Sequence, residues 1–411
     1  MVSASSTGSA AIAPPGLERP TAAYIHIPFC RRRCYYCDFP ISVLGDRLRG
    51  ETSGTMQQYL EALHQEIAAT PAKGAPLETV FFGGGTPSLL AVGQLQTLLA
   101  HLAQRFGLTA TAEISMEMDP GTFDLSHLQG YQAAGVNRVS LGVQAFQPEI
   151  LQACGRTHTV ADIEQAVGWL HQADIDNYSL DLISGLPYQT LDRWQRALAQ
   201  AIALQPQHIS IYDLTIEPGT AFAKWYQPGE TPLPPEDHTA AMYRLAQQTL
   251  TQAGFEHYEI SNYAKPGYRC RHNQVYWQNR PYYGFGMGAT SYLQAQRFAR
   301  PRKLREYYQW VMDYQQNQGK IDCLPTSASE RLLDQLMVGL RLADGIDLTG
   351  LGQQFGSETV YRLQKRLQPY IKQGWVEASS STALPSHIRL SDPEGFLFSN
   401  VVLTALFAEF D

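Results

Sequence analysis

The sequence predicts an α/β protein in which six parallel strands alternate with helices, followed by a smaller, mostly helical domain that closes in a winged-helix-like hairpin. Three observations predict it. Short apolar or β-branched runs recur between residues 22 and 215, stretches with apolar residues at i, i+3, i+4 and i+7 separate them, and the alternation stops at a Pro/Gly-rich loop, YQPGETPLPPED (226–237).

The strands read in order as AAYIHIPF (from 22 to Phe29), TVFFGG (79–84), EISMEM (113–118), RVSLGVQ (138–144), YSLDLISG (178–185) and HISIYDLT (208–215). Nearly continuous apolar character marks them as buried on both faces. The helices between them begin at Met56, Gln94, Val160 and Leu191. Each crossover helix returns the chain to the same end of the sheet, so the strands pair in parallel with right-handed connections. An open doubly wound sheet and a partial barrel both satisfy this pattern. In either, ligands sit at the C-terminal strand ends.

A helix is expected from His238 to Ala253, then an aromatic and glycine-rich segment. From Lys303 the chain reads as helical, ending with a helix over 357–372 and a strand, loop, strand over 374–390. The domain reading is therefore a flexible tail (1–21), the βα array (22–255), the aromatic segment (256–300) and the C-terminal domain (301–411).

Hydrophobic residues make up 44% of the 411, charged residues 17%, and the net charge is −7. Nucleic acid is excluded as the main partner, since phosphate binding needs a basic footprint and the last predicted helix offers only Arg362, Lys365, Arg366 and Lys372. No run approaches the ~18 apolar residues of a membrane span. Six sparse cysteines make no disulfide framework, which points to a reducing, cytoplasmic setting.

Three of the six fall in CRRRCYYC (30–37), directly after the first strand. Structural zinc wants four closed ligands, which would make His26 or Asp38 the fourth, and no second cysteine pair exists. A 4Fe-4S cube held by three thiolates would keep one iron open. Arg31, Arg32 and Arg33 read either as a solvated turn or as charges that favour thiolates. GGGTPS (83–88) follows the second strand without the Lys-Ser/Thr of a phosphate loop.

CxxxCxxC at this place in a βα array resembles the radical S-adenosylmethionine (SAM) superfamily. The resemblance implies a partial (β/α)6 barrel, a 4Fe-4S cluster on Cys30, Cys34 and Cys37, and SAM chelated at the open iron. It also implies SAM contacts for Tyr24, Gly84, Gly85, Thr86, Glu117, Gln144, Arg156 and Asp181, which resemble positions of the oxygen-independent coproporphyrinogen dehydrogenases. Asp119 departs from that pattern, for relatives usually have Asn there.

Two features choose the branch. Phe39 stands where those dehydrogenases carry a further cysteine, and only about twenty residues precede the first strand, in place of a longer arm. CRHNQVYW (270–277) is similar to the HNxxYW motif of the HemW family of haem chaperones. That resemblance implies haem iron ligation by a weakly buried loop histidine, His272, with Tyr276 and Trp277 packing on the porphyrin, Asn273 fixing the loop and Cys270 as a competing ligand. Thr290 stands where many relatives have His. The expected function is haem binding and transfer to client haemoproteins, with membrane-bound cytochromes among the candidate clients and a homodimer compatible. The alternative is oxidative decarboxylation of coproporphyrinogen III by radical SAM chemistry.

Overall fold

The computed structural model describes residues 19–46, 50–73, 75–323, 326–379 and 386–410. Most of the expected tail, residues 1–18, and the loop 380–385 lie outside them.

Six parallel strands form the centre: β1 (Ala22–Ile27), β2 (Leu77–Gly84), β3 (Leu108–Met118), β4 (Arg138–Gln144), β5 (Tyr178–Ser184) and β6 (His208–Asp213), hydrogen-bonded in that order. Their crossovers carry α1 (Gly54–Ala69), α2 (Val92–Phe106), α3 (Leu125–Ala134), α4 (Val160–Gln172) and α5 (Leu191–Ala203), and α6 (Glu236–Gln252) follows β6. This is the expected partial (β/α)6 barrel. β1 stops before Pro28, which has no N–H for a ladder. Side chains such as Ile25, Val80, Ile114, Val139, Leu180 and Ile209 are buried together with Leu60, Leu98, Leu170 and Leu198 of the helices.

The segment 256–300 is not a separate insertion. Its first strands, β7 (Glu256–Glu259) and β8 (Asn262–Ala264), extend the sheet antiparallel beyond β6. After α7 (Arg271–Trp277), β9 (Tyr283–Phe285) pairs in parallel with the outer side of β1. The sheet thus has nine strands and ends at β9 and β7. A hairpin of β10 (Thr290–Leu293) and β11 (Gln296–Ala299) follows.

α8 (Leu304–Gln316) also joins the barrel, because Tyr307 and Val311 are buried in its core. The C-terminal domain has its own core and consists of α9 (Ala328–Gly339), β12 (Ile346–Asp347), α10 (Leu348–Phe355), α11 (Ser357–Lys372), β13 (Val376–Ser379), β14 (His387–Leu390) and α12 (Ser399–Phe410). These four helices and a three-stranded sheet in the order β12, β14, β13 give the winged-helix-like form. Tyr243 of α6 enters this second core and ties it to the barrel. No helix among the described residues is long and apolar enough to cross a membrane.

Candidate functional site: one crevice at the strand ends

Pro28 ends β1, and the chain turns through the three thiols. The turn is fixed from outside. Arg33 donates to the carbonyls of Cys37 (3.1 Å) and Phe39 (3.2 Å), Arg31 to that of Gly121 (2.9 Å), and Arg32 pairs with exposed Asp46. The arginine triplet therefore shapes the loop, Arg33 also lowering the Cys37 thiol by its charge, and Arg156 comes within 3.5 Å of Cys34 Sγ. Burial pushes the Cys30 thiol up to about 12, with Cys34 and Cys37 adding to the rise, and raises that of Cys37, with Cys34 adding to it. Such thiols become thiolates through a coordinated metal's charge.

The described residues hold no three His, Cys, Asp or Glu side chains drawn around a single ion, the arrangement structural zinc needs. Neither proposed fourth ligand is free: the His26 ring nitrogens meet Tyr24 Oη and the Pro40 carbonyl, each at 3.0 Å, and Asp38 lies 3.7 Å from Arg302. Three thiols spread along one partly exposed loop fit the separate corners of a cube.

The glycine turn after β2 packs against this loop. Gly84 has φ +113°, and a Cβ there would lie 2.4 Å from the His26 ring; one on Gly85 would lie 2.7 Å from the Phe29 carbonyl oxygen. Gly84 N–H donates to Glu117 Oε2 (2.9 Å), and Thr86 Oγ1 donates to Asp119 (3.3 Å). Burial drives the Glu117 carboxyl up to about 8, opposed by the Gly84 bond and reinforced by Asp181 and Asp119. Asp181 is raised by burial as well, although Ser140 and Ser179 donate to it.

Asp119, the departure from the family pattern, forms a 2.6 Å ion pair with Arg156, whose Nη2 also donates to the Gly142 carbonyl. The extra charge is thus neutralised within the wall. A Cβ on Gly142 would meet Asp119 at 2.8 Å, so glycine lets this pair form. Gln144 ends β4 with φ +65°, an uncommon conformation, at an irregularity after which it pairs with Leu182 of β5.

The HNxxYW segment is a helix, α7, and not a loop. Glu113 of β3 caps it by accepting from Arg271 N (3.1 Å) and His272 N (3.0 Å). His272 is fully buried: its Nδ1 meets Thr79 Oγ1 and its Nε2 meets Tyr276 Oη, both at 2.8 Å, while the ring stacks on Phe81. Burial, then the positive charge of Arg138, lowers its pKa to about 3. The weakly buried histidine expected from the sequence is corrected here, because both ring nitrogens are engaged. Cys270 is buried against Glu113, and burial raises its thiol to about 12.

Three cavities meet at Tyr276. One of about 160 Å³ is bounded by Tyr24, Glu117, Asp181, His272 and Asn273. A second of about 290 Å³ reaches Phe39 and Thr290, and a third of about 530 Å³ runs past Asn273 and Trp277 to Phe396 of the C-terminal domain. Tyr24, Glu117 and Asp181 therefore share one cavity with His272, Asn273 and Tyr276, whereas Gly84, Gly85, Thr86, Gln144 and Arg156 line none of the three. Arg138 and Tyr212 also line that shared cavity and were missed from the sequence; a charge opening the apolar run RVSLGVQ was the available signal.

The family model described as the radical SAM superfamily matches residues 24–201, and that of the HemN C-terminal domain matches 326–396. The chain is 48% identical to the Heme chaperone HemW of Synechocystis sp. over 95% of this chain and 97% of that one. It is 32% identical to the Heme chaperone HemW of Bacillus subtilis, covering 94% and 99%. The solved structure of coproporphyrinogen III oxidase (HemN) from Escherichia coli, described as a radical SAM enzyme, superposes with a TM-score of 0.79 at 25% identity, covering 95% of this chain and 90% of that one. The superfamily implies SAM and a 4Fe-4S cluster, which the thiol loop and the carboxylate-lined strand ends suit. With like sequence over nearly its whole length, the chain belongs to the HemW family of the radical SAM superfamily.

Proposed function

We propose that the protein is a haem chaperone: it binds haem in the crevice at α7 and passes it to client haemoproteins. The observation that carries this reading is full-length similarity to proteins named Heme chaperone HemW, together with Phe39 in place of the further cysteine of coproporphyrinogen dehydrogenases. Cys30, Cys34 and Cys37 would hold the cluster. When bound, a reduced 4Fe-4S cluster supplies one-electron chemistry toward SAM. Tyr24, Gly84, Gly85, Thr86, Glu117, Gln144, Arg156 and Asp181 would surround SAM, with Glu117 and Asp181 offering oxygens to its ribose or ammonium.

Asn273, Tyr276 and Trp277 border the 530 Å³ cavity, where aromatic rings can cover a porphyrin face. His272 is the axial ligand of this reading. His272 lines the 160 Å³ cavity and not the larger one, so it would reach haem iron only once Tyr276, which borders both and bonds its Nε2, has moved aside. A ligand that must give up a hydrogen bond holds its cargo less tightly, which favours release. Transfer requires such reversibility.

Haem titration tests this. His272→Ala is expected to lose the shifted Soret band of the haem complex, whereas Tyr276→Phe, which frees Nε2, should tighten binding about tenfold, the equivalent of one neutral hydrogen bond. An unchanged band in both variants would remove His272 as ligand.

A further inference from the structure

Arg138 opens β4, yet it is only 2% exposed and borders the 160 Å³ cavity. Its Nε has no hydrogen-bond partner, and among the described residues no carboxylate forms an ion pair with it. The other buried arginines of the barrel differ: Arg156 pairs with Asp119 at 2.6 Å and Arg300 with Glu66 at 2.7 Å. The acidic groups nearest Arg138 are otherwise occupied. Glu113 accepts from two α7 amides, and Asp181 accepts from Ser140 and Ser179. Cys270 and Tyr258, which also face it, are held protonated by burial.

A buried guanidinium with no direct partner is costly to the fold, although the carboxylate charges of Glu113 and Asp181 nearby favour its charged form. Its planar array of donors matches a carboxylate. The cavity is too small for a porphyrin, but at ~30 Å³ per water-sized group it admits a carboxylate with its supporting carbons. It adjoins the 290 and 530 Å³ cavities, sharing Tyr276 with both. Burial raises the carboxyls of Glu117, to about 8, and of Asp181, which weakens their repulsion of an anion.

We infer that Arg138 anchors a carboxylate of a ligand whose body lies in the adjoining cavities. A haem propionate arm and the carboxylate end of an amino-acid ligand share this chemistry. The first source rests on the chaperone reading; the second does not.

The test uses the full-length, cluster-loaded protein with Arg138→Met and Arg138→Lys. Without ligand, Arg138→Met should melt at the same temperature as the parent or higher, because it removes an unpaired charge. A fall of several degrees would make Arg138 a structural counter-ion and overturn the inference. Haem should bind Arg138→Met at least tenfold more weakly and Arg138→Lys with an intermediate loss, while haem dimethyl ester, with its carboxylates blocked, should bind parent and variants alike. If haem is unaffected and SAM binding weakens tenfold, the amino-acid carboxylate is the occupant; if neither changes, there is no carboxylate subsite. Should the parent bind no haem, the chaperone reading fails and the SAM titration alone decides Arg138.

Discussion

Cys34→Ser, purified without oxygen, is expected to carry almost no iron or sulfide, against about four of each per chain in the parent. The effect is large because the loop has no substitute ligand. His26 is engaged on both ring nitrogens, Asp38 faces Arg302, and Cys154 is fully buried with a thiol that burial raises to about 12. The brown absorbance should vanish while the far-ultraviolet circular dichroism stays, since the barrel core does not include these sulfurs. Iron and sulfide counted chemically on both proteins check this. Equal zinc in parent and variant, with no sulfide, would mean that the loop holds something else.

Glu66→Ala is expected to lower stability by about 3–5 kcal/mol, the penalty for leaving one partner of a buried ion pair alone. Glu66 on α1 is fully buried and bonds Arg300 Nε (2.7 Å), Tyr307 Oη (2.6 Å) and Gly286 N (2.9 Å). One carboxylate thereby fastens the glycine-rich strand β9, the hairpin after it and α8 to the barrel. Gly286 takes φ +98° beside the Tyr59 hydroxyl, so the turn toward the crevice depends on this anchor. The urea midpoint should fall accordingly, and haem affinity with it, because Gly288, Ala289 and Thr290 line the crevice just beyond.

Cys34 and Glu66 differ in how far the sequence exposes them. The six central strands were legible because parallel strands buried on both faces must be nearly continuous in Val, Ile, Leu and Phe, and their alternation with helices left few topologies. Cys30, Cys34 and Cys37 stood out by their spacing, and their reading as cluster ligands came from the resemblance. Glu117, Gln144 and Asp181 came from resemblance; the fold brings Glu117 and Asp181 to one cavity, while Gln144 ends β4 outside it.

What was hidden depends on distance along the chain. β7, β8 and β9 are three or four residues long and gain their pairing from β6 and β1, far away in sequence, so no local pattern announces them. α7 is seven residues, shorter than a helix that stands alone, and exists because Glu113 caps its amides from another strand. The burial of His272 follows from that docking. Arg138 shows the same limit from the other side, since a charged residue at the edge of a strand reads as solvent-facing until the barrel closes over it.

Haem transfer is the most direct measurement. Protein loaded with one haem is mixed anaerobically, with cluster and SAM in place, with an apo-haemoprotein, and the acceptor's Soret spectrum is followed alongside any conversion of added coproporphyrinogen III. The account predicts that the acceptor gains haem at a rate faster than from free haem's slow partition and that coproporphyrinogen is left intact. Abundant protoporphyrinogen with no haem delivered would contradict it.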